Sequence, residues 1–430
     1  MAVEPSQIED LANYLSFGYW LDGGDRPHHY TEKLIAVDLS GLSSDGQELA
    51  RGALQAWSMV ADIQFVDTST SVQISFRNDL AGAMTTSVYS LDGATETAQV
   101  NIANAWLDTY GATVGSYSFL TFLHEVGHAL GLGHPGPYDG SANYLFDTRF
   151  QNDSWQCSVM SYFSQDQGTG SSASYAMPVT PMMADILAIQ ELYGAPQGGP
   201  SAGATSWGLG SNLGTYLDAI FEGPDAGLVG LAMTVFDEGG SDILRLSNDT
   251  HDQIVDLADG AYSSVYGGVG NLGIAFGTII EDYVAGSGHD RVVGNASANQ
   301  VALGCGNDKC WGEAGSDRLL GRGGNDRLFG GEGSDWLDGG GGQDWLAGGL
   351  GRDTFVFTGG HDTIDDFRKH ADTLVLDERL WGGDLSRKEV LAHFAEVDGR
   401  GTVLDFGGST TLRINDIHDA KLLLDDLIIL

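Results

Sequence analysis

Three histidines and a glutamate lie close together in the segment FLHEVGHALGLGHPG, residues 122–136. His124 and His128 are four positions apart, so on a helix both imidazoles leave the same face, one turn apart. Such a pair suits two ligands of a tetrahedral zinc ion. Glu125 is rotated by about 100° around the helix and is placed to act on a water held by the metal. On this spacing alone, a surface helix that merely carries two histidines remains the alternative.

Gly131 and His134 extend the pattern beyond the helix. A glycine ends the helix and lets the backbone reverse, so that His134 can return to the metal as a third ligand. Residues 124–134 therefore match HExxHxxGxxH in full. The pattern predicts one catalytic Zn²⁺ held by three histidines, with Glu125 as the general base that activates a water held by the metal.

Local signals predict the elements that position this motif. Apolar periodicity and capping residues predict helices over 43–61, 116–131 and 181–194, and alternation predicts strands over 72–76 and 98–103. The first helix should bury Leu49, Leu54, Trp57 and Val60. We expect residues 98–106 to form the edge strand that pairs with an extended substrate. The pair His28–His29 is expected on a surface loop, with metal binding as the alternative.

A second pattern begins at Ala285, where the sequence repeats every nine residues. Each repeat combines glycines, which allow a tight turn and leave carbonyls free, with an aspartate that supplies a hard oxygen ligand. An apolar residue two positions after each aspartate should point inward, and two repeats should make one turn of a flattened parallel roll. A glycine-rich linker, the alternative, would not keep this phase. The predicted ligands of several structural Ca²⁺ ions are Gly288, Asp290, Gly306, Asp308, Gly315, Asp317, Gly324, Asp326, Gly333, Asp335, Gly342, Asp344, Gly351 and Asp353.

Composition restricts the partners. The chain carries 20 basic and 59 acidic residues, a formal net charge of −39, which argues against nucleic acid and anionic membranes. No stretch is long and apolar enough for a transmembrane helix, and the start, MAVEPSQIED, lacks signal-peptide character. Three cysteines exclude a disulfide framework. Cys157 is expected to be buried, with a zinc-binding latency role as the alternative, and Cys310 to be a core residue, with a bridge to Cys305 as the alternative.

The complete histidine motif resembles that of the metzincin zinc proteases, and SVMSY, residues 158–162, resembles their serralysin branch. The resemblance implies that Met160 lies beneath the zinc as a structural residue. It also implies that Tyr162 is a further, displaceable zinc ligand that stabilises the transition state. FDEGGSD, residues 236–242, resembles a calcium-binding turn with Asp237, Gly239 and Asp242 as ligands. Its partner segment is here SAGAT, residues 201–205, which lacks the family's arginine but offers oxygens from Gly203 and Thr205.

These patterns together predict an α+β protein: a metzincin-type mixed α/β catalytic domain, then an all-β parallel roll with a β-rich C-terminal cap. The predicted boundaries are 1–195 for the catalytic domain, 196–284 for a linking β segment, 285–357 for the roll and 358–430 for the cap. A Gly/Pro/Ser-rich stretch at 195–204 marks the first of them.

The function expected from the residues and the resemblance is a secreted, monomeric zinc endopeptidase that acts on protein or peptide substrates. The alternative is a non-enzymatic calcium-binding adhesin or matrix protein, for which the roll alone would suffice. Millimolar calcium exists outside cells, which favours folding after export. The end DDLIIL resembles the uncleaved signal of the type I secretion apparatus.

Overall fold

The computed structural model describes residues 5–167, 172–222 and 226–430. Met1–Glu4, part of the segment without signal-peptide character, lie outside the described residues. A mixed α/β region comes first and a long β region follows. Within the described ranges, no helix is long and apolar enough to cross a membrane. The predicted fold class is confirmed.

A five-stranded sheet forms one layer of the α/β region, in the order β2-β1-β3-β5-β4. Its strands are β1 Leu34–Gly41, β2 Gln64–Asp67, β3 Ile74–Arg77, β4 Ala83–Tyr89 and β5 Thr95–Ile102. The first three and β5 run parallel, whereas β4 is antiparallel to β5. Our prediction of an edge strand over 98–106 is wrong. The chain turns back at 90–94, so β4 covers the outer side of β5 and becomes the edge itself, and residues 104–110 are helical.

Seven helices of the described residues accompany this sheet, and three of them lie in the ranges that the local signals predict. The seven are α1 Pro5–Asn13, α2 Tyr19–Asp22, α3 Ser44–Val60, α4 Asn104–Tyr110, α5 Tyr117–Ala129, α6 Tyr144–Asp147 and α7 Met183–Tyr193, with a π-helical turn over Tyr14–Gly18. The Ser116 side chain accepts the Phe119 N–H and opens α5, and Gly194 ends α7 with φ +85°. The four predicted apolar residues of α3 are buried, and Trp57 Nε1 donates to Leu123 O of α5 at 3.1 Å.

Short strands connect the α/β region to the roll. They are β6 Met177–Pro178, β7 Ser206–Gly208, β8 Leu231–Val235, β9 Ile243–Arg245, β10 Ile254–Asp256, β11 Tyr262–Ser263 and β12 Leu272–Ile274. One small sheet has the order β11-β12-β8-β6, so the α/β region contributes β6 to a sheet of the following segment. Strands β7, β9 and β10 already belong to the two long sheets of the roll, ahead of residue 285.

The nine-residue repeats form the predicted parallel roll. Its strands are β13 Asp282–Val284, β14 Arg291–Val293, β15 Gln300–Ala302, β16 Lys309–Ala314, β17 Arg318–Leu320, β18 Arg327–Gly333, β19 Trp336–Asp338, β20 Trp345–Gly351 and β21 Thr354–Phe357. Lys309 pairs with Arg327 and Arg318 with Trp336, so each turn contains two repeats. The repeat apolar residues are at most 1% exposed and fill the interior: Val292, Val301, Cys310, Leu319, Leu328, Leu337, Leu346 and Phe355.

The C-terminal segment continues both sheets and then closes one of them with an antiparallel ribbon. Its elements are β22 His361–Ile364, β23 Thr373–Leu376, α8 Arg387–Phe394, β24 Ala395–Val397, β25 Gly401–Gly407, β26 Thr410–Asn415 and β27 Leu427–Ile429. The segment is β-rich as predicted, although it also includes helix α8, which the strand-like pattern did not indicate. A capping box between Ser386 and Glu389 starts α8, and Val390 is buried beneath it.

Two adjacent glycines in the roll make a matched test of its geometry. Gly324 has φ +133°, and a Cβ there would lie 1.3 Å from Gly306 O, whereas a Cβ on Gly323 would meet nothing within 4 Å. We expect Gly324→Ala to destabilise the protein by about 2–5 kcal/mol through backbone strain and overlap. Gly323→Ala should change the free energy of unfolding by less than about 0.5 kcal/mol. Urea unfolding in calcium measures both, and equal effects would contradict the turn geometry.

Candidate metal centre and active site

The three histidines of the motif converge on one point. The Nε2 atoms of His124 and His128 are 3.0 Å apart, those of His128 and His134 are 3.1 Å apart, and those of His134 and His124 are 3.3 Å apart. A tetrahedral ion with ligands at about 2.0–2.1 Å separates neighbouring ligand atoms by about 3.3 Å. The triangle therefore fits three ligands of a zinc ion.

Hydrogen bonds on the opposite side of the rings fix which nitrogen is free. His124 Nδ1 is 2.9 Å from Val159 O, and His128 Nδ1 is 2.8 Å from Leu132 O. A carbonyl can only accept, so Nδ1 carries the proton and Nε2 presents a lone pair. Burial, assisted by the charge of His128, lowers the pKa of His124 to about 3, and burial lowers the pKa of His128 to about 4. Neutral imidazoles with converging lone pairs are ready to bind a cation.

The N-terminal segment holds the turn that returns His134. Gly131 has φ +106°, and a Cβ on it would lie 2.0 Å from His28 O. Trp20 Nε1 donates to Gly131 O at 2.8 Å, and the Gly133 N–H donates to Leu15 O at 2.7 Å. Gly131 is therefore required both for the reversal and for the close approach of residue 28. The sequence pattern explains why the backbone reverses at Gly131. Only the structure shows that residue 28, from a distant segment, packs against the same glycine.

The expected surface position of the pair His28–His29 is wrong for His28. This side chain is 2% exposed, and its ring stacks on Tyr89 with centroids 4.1 Å apart. Residues 28 and 29 pass directly beneath the Gly131 turn, and His29 bridges to Ala94, which buries the first histidine of the pair. His28 therefore belongs to the wall behind the histidine cluster.

Glu125 lies beside the cluster in a buried position. Its Oε2 accepts a hydrogen bond from Thr85 Oγ1 at 2.8 Å, and the same hydroxyl lies 2.9 Å from Glu125 O. Burial raises the pKa of Glu125 to about 7, against the opposing effect of the Thr85 hydrogen bond. A carboxyl with a pKa near neutrality can both accept and release a proton. Thr85 belongs to the edge strand β4, and no sequence motif indicated it.

Tyr162 lies on the other side of the cluster. Its ring centroid is 4.6 Å from that of His134, and its hydroxyl accepts the Gly140 N–H at 3.3 Å. Burial raises the pKa of Tyr162 to about 12, so the phenol is a neutral donor at physiological pH. His124, Glu125 and Tyr162 line a cleft of about 440 Å³ whose walls include Trp106 and Trp155.

Met160 packs against helix α5 at Gly127, between the first two histidines of the motif. It is fully buried, and a Cβ on Gly127 would lie 2.5 Å from Met160 Sδ. The turn that contains Met160 is tied to helix α7 by Asp185. Asp185 accepts from Ser158 Oγ at 2.6 Å and from the Val159 N–H at 2.7 Å. Since Val159 O in turn accepts from His124, Asp185 orients a histidine through two hydrogen bonds and one intermediate residue.

The role of Asp185 was missed by the sequence reasoning, which used residues 181–194 only as a helix. A signal was present, because an acid three positions after the N-cap suggests a capping box, and Asp185 does accept the Met182 N–H at 2.8 Å. Its bonds to residues 158 and 159 depend on tertiary packing. Burial raises the pKa of Asp185 to about 7 despite its hydrogen bonds.

The repeat aspartates form two ladders along the roll. In each ladder, one carboxylate oxygen, Oδ1, accepts the N–H of the aspartate 18 residues earlier, as in Asp308 to Asp290 and Asp335 to Asp317 at 2.8 Å. The other oxygen, Oδ2, is buried and without a partner among the described residues in six of the seven repeat aspartates: Asp290, Asp308, Asp317, Asp326, Asp335 and Asp344. Burial raises the pKa of Asp326 to about 7. These inward oxygens suit a hard cation such as Ca²⁺.

The turn glycines agree with this arrangement at six of the seven predicted positions. Gly306, Gly315, Gly324, Gly333, Gly342 and Gly351 have φ between +133° and +148°. Gly288, at the start of the roll, is not among the glycines with positive φ. The first predicted site is thus less regular than those that follow.

The upstream turn, residues 236–242, also brings its predicted aspartates together, but the two differ in how many of their carboxylate oxygens already have a hydrogen-bond partner. Asp242 Oδ1 accepts the Thr205 N–H at 2.7 Å, and its Oδ2 is buried without a partner among the described residues. Asp237 instead uses both oxygens, for the Gly239 N–H at 2.8 Å and for Trp207 Nε1 at 2.9 Å. Asp242 is therefore the better placed ligand of the two.

The cysteines take no part in the cluster. All three are free, so the alternative of a bridge between Cys305 and Cys310 is not realised. Cys157 is buried, and its sulfur lies 3.7 Å from the Tyr262 hydroxyl. Burial raises the pKa of Cys157 to about 12, so it stays a thiol and not the thiolate that a zinc ligand requires.

Replacement of Asp185 tests the support of the Met160 turn. In Asp185→Asn, the amide oxygen can keep the two N–H donors only if the NH₂ group faces Ser158 Oγ, which then loses its acceptor and already accepts the Met160 N–H, so we expect a loss of about 1–3 kcal/mol of unfolding free energy. Asp166→Asn, at an exposed position of the same loop, should be neutral. Urea unfolding of both variants provides the measurement, and an equally stable Asp185→Asn protein would contradict the assigned support.

Comparison with known proteins agrees with this architecture. Residues 203–379 match the sequence model of the family described as Peptidase M10 serralysin C terminal. The chain is 33% identical over 279 residues to Metallopeptidase AprA of Pseudomonas marginalis, covering 61% of this chain and 57% of that protein. It is 32% identical over 288 residues to a serralysin of Photorhabdus luminescens, covering 64% of this chain and 57% of that protein.

A shorter match, 37% identical over 198 residues, links the chain to Serralysin C of Dickeya chrysanthemi, covering 45% of this chain and 38% of that protein. The chain thus spans about half the length of the curated relatives it matches. These matches show that the chain is similar to serralysin-type metallopeptidases over about 60% of its length, and that residues 203–379 match the C-terminal family model of the serralysins.

Proposed function

We propose that the protein is a zinc-dependent endopeptidase that hydrolyses peptide bonds of extracellular proteins. The observation that carries this proposal is the triangle of three Nε2 atoms within 3.3 Å of one another, with the Glu125 carboxylate beside it in an open cleft. Three neutral acceptors at this separation repel one another unless a cation lies between them.

In this proposal His124, His128 and His134 hold the ion. When bound, zinc supplies Lewis-acid polarisation of a carbonyl oxygen and lowers the pKa of water. Glu125 accepts the proton from the attacking water and delivers it to the leaving amine, a pair of tasks that suits a pKa of about 7. Thr85 holds the Glu125 carboxylate through the 2.8 Å hydrogen bond to Oε2.

Tyr162 is proposed to stabilise the oxyanion that develops at the scissile carbonyl. Its pKa of about 12 keeps the hydroxyl protonated, so it can donate to that oxygen. The bond from Gly140 N–H is long, at 3.3 Å, and uses an acceptor lone pair, which leaves the phenolic proton free for substrate.

The substrate is proposed to bind as an extended strand along β4. This strand is the free edge of the sheet, it carries Thr85, and its side chains Met84 and Val88 are 47% and 59% exposed. One substrate side chain would enter the cleft of about 440 Å³ next to Glu125. The walls formed by Trp106, Tyr117 and Trp155 favour a bulky apolar side chain there.

A neutral replacement of Glu125 tests the proposed chemistry. Glu125→Gln removes the proton acceptor and leaves the three imidazoles in place, so we expect casein cleavage to fall about 100- to 10,000-fold while one zinc per chain is retained. Glu96→Gln, at an exposed position on β5, is the matched control and should retain the parent rate. A Glu125→Gln enzyme that binds zinc and cleaves casein at the parent rate would overturn the assigned role of Glu125, whereas a parent protein that binds zinc and cleaves nothing would favour the non-enzymatic alternative.

The roll is proposed to bind several structural calcium ions. Each ion would be held between turns by glycine carbonyls and by the Oδ2 atoms of those six repeat aspartates that lack partners among the described residues. Buried carboxylates with unpaired oxygens are costly, so the ions would supply part of the free energy of folding. A requirement for millimolar calcium supports an extracellular location, with export through the C-terminal segment by a type I system as part of the proposal.

Removal of calcium provides a direct test. We expect excess EGTA to abolish most of the β signal of the roll in far-UV circular dichroism, because the buried aspartates then repel one another. Re-addition of calcium should restore the signal, and magnesium, which demands a tighter octahedral shell, should not. A spectrum that EGTA leaves unchanged would show that the roll folds without bound calcium.

A further inference from the structure

The last turn of one aspartate ladder differs from the turns before it. Asp353 is the seventh repeat aspartate, and its Oδ2 has a protein partner: Arg368 Nη2, at 3.1 Å. In the six preceding repeats the corresponding Oδ2 is buried without a partner among the described residues. In the other turns this carboxylate oxygen faces the space proposed for a cation. In the last turn the side chain of Arg368 occupies that position.

Arg368 Nη2 contacts the same kinds of atoms that the turns offer to an ion. It donates to Gly351 O at 2.8 Å, a carbonyl of the turn glycine two positions before Asp353. It is also 3.2 Å from Oδ1 of Asp372. This one nitrogen therefore contacts the Gly351 carbonyl and the Asp353 carboxylate of one turn and the Asp372 carboxylate of the next.

Asp372 continues the ladder beyond the regular repeats. Its Oδ1 accepts the Asp353 N–H at 3.1 Å across 19 residues, where the earlier bonds span 18. Its Oδ2 accepts the main-chain N–H of Arg368 at 2.7 Å. Asp372 is therefore fully engaged by Asp353 and Arg368, and this turn retains no inward oxygen without a partner.

Arg368 supplies one positive charge against the two buried carboxylates of this turn. The side chains of Asp353 and Asp372 are 0% and 1% exposed, whereas that of Arg368 is 38% exposed. Arg368 reaches inward from the loop between β22 and β23, and its main-chain bond to Asp372 fixes the start of the side chain. A guanidinium keeps its charge at every relevant pH and donates to several acceptors at once.

We propose that the guanidinium of Arg368 takes the place of a calcium ion at this last turn, so that the C-terminal end of the roll closes without metal. The inference rests on the proposed calcium roll. It predicts that the site between Asp353 and Asp372 is blocked in the parent protein and becomes a calcium site once the guanidinium is removed. The turn would then depend on calcium like the turns that precede it.

Calcium content is the measurement that tests this proposal. We expect Arg368→Ala, after equilibrium dialysis against calcium, to bind one more ion per chain than the parent, as counted by mass spectrometry of the metal. Arg352→Ala is the matched control, since it removes the same charge from an exposed position next to Asp353 and should bind the parent number. Arg368→Lys keeps a cation at the turn and should also bind the parent number.

Each result has a distinct meaning. A folded Arg368→Ala protein that binds the parent number of ions would overturn the proposal, and so would one that stays unfolded in saturating calcium, because the added ion should restore the turn. A parent protein that binds no calcium at all would instead overturn the roll proposal itself. In EGTA, we expect Arg368→Ala to lose residual C-terminal structure that the parent and Arg352→Ala retain, which hydrogen exchange of β21 and β23 would detect.

Discussion

Buried lone pairs that face one another are the constraint on which this structure depends. Three imidazole nitrogens meet within 3.3 Å, and six aspartate oxygens point into the roll without a partner among the described residues. Neither arrangement is stable in a low-dielectric interior unless a cation compensates it. The two halves of the chain, which differ in fold, therefore share the requirement for a bound cation. The geometries of their sites differ because the metal-ligand atoms are nitrogens in the α/β region and oxygens in the roll.

The α/β region satisfies this constraint with support from distant segments. The Gly131 turn is held by Trp20 and Leu15, and the His124 ring is held through Val159 by Asp185. Each contact fixes an angle or a tautomer, which is what a binding site for a tetrahedral ion needs. The same packing buries Glu125, so the burial that shapes the metal centre also raises the pKa of the proposed base.

The roll satisfies the constraint by repetition. One oxygen of each aspartate joins a hydrogen-bond ladder along the axis, and the other is left for an ion, so ordering the backbone and binding the cation use separate atoms. Arg368 ends one ladder with a charge from the chain itself. The segment ahead of the roll is also joined to the α/β region, because β6 pairs with β8 and Tyr262 donates to Gln156 O near the Met160 turn at 3.0 Å.

The sequence by itself determined the features that depend on short spacings. The histidine motif, the caps of α3, α5 and α7, the nine-residue period and the inward apolar residues all follow from local periodicity and turn chemistry, and the structure has them as predicted. Tertiary structure decided which strand is the sheet edge, that His28 is buried, and that Thr85, Asp185 and Arg368 contact the candidate sites. The physical reason is that these features arise from packing between segments far apart in the chain, which no local pattern encodes.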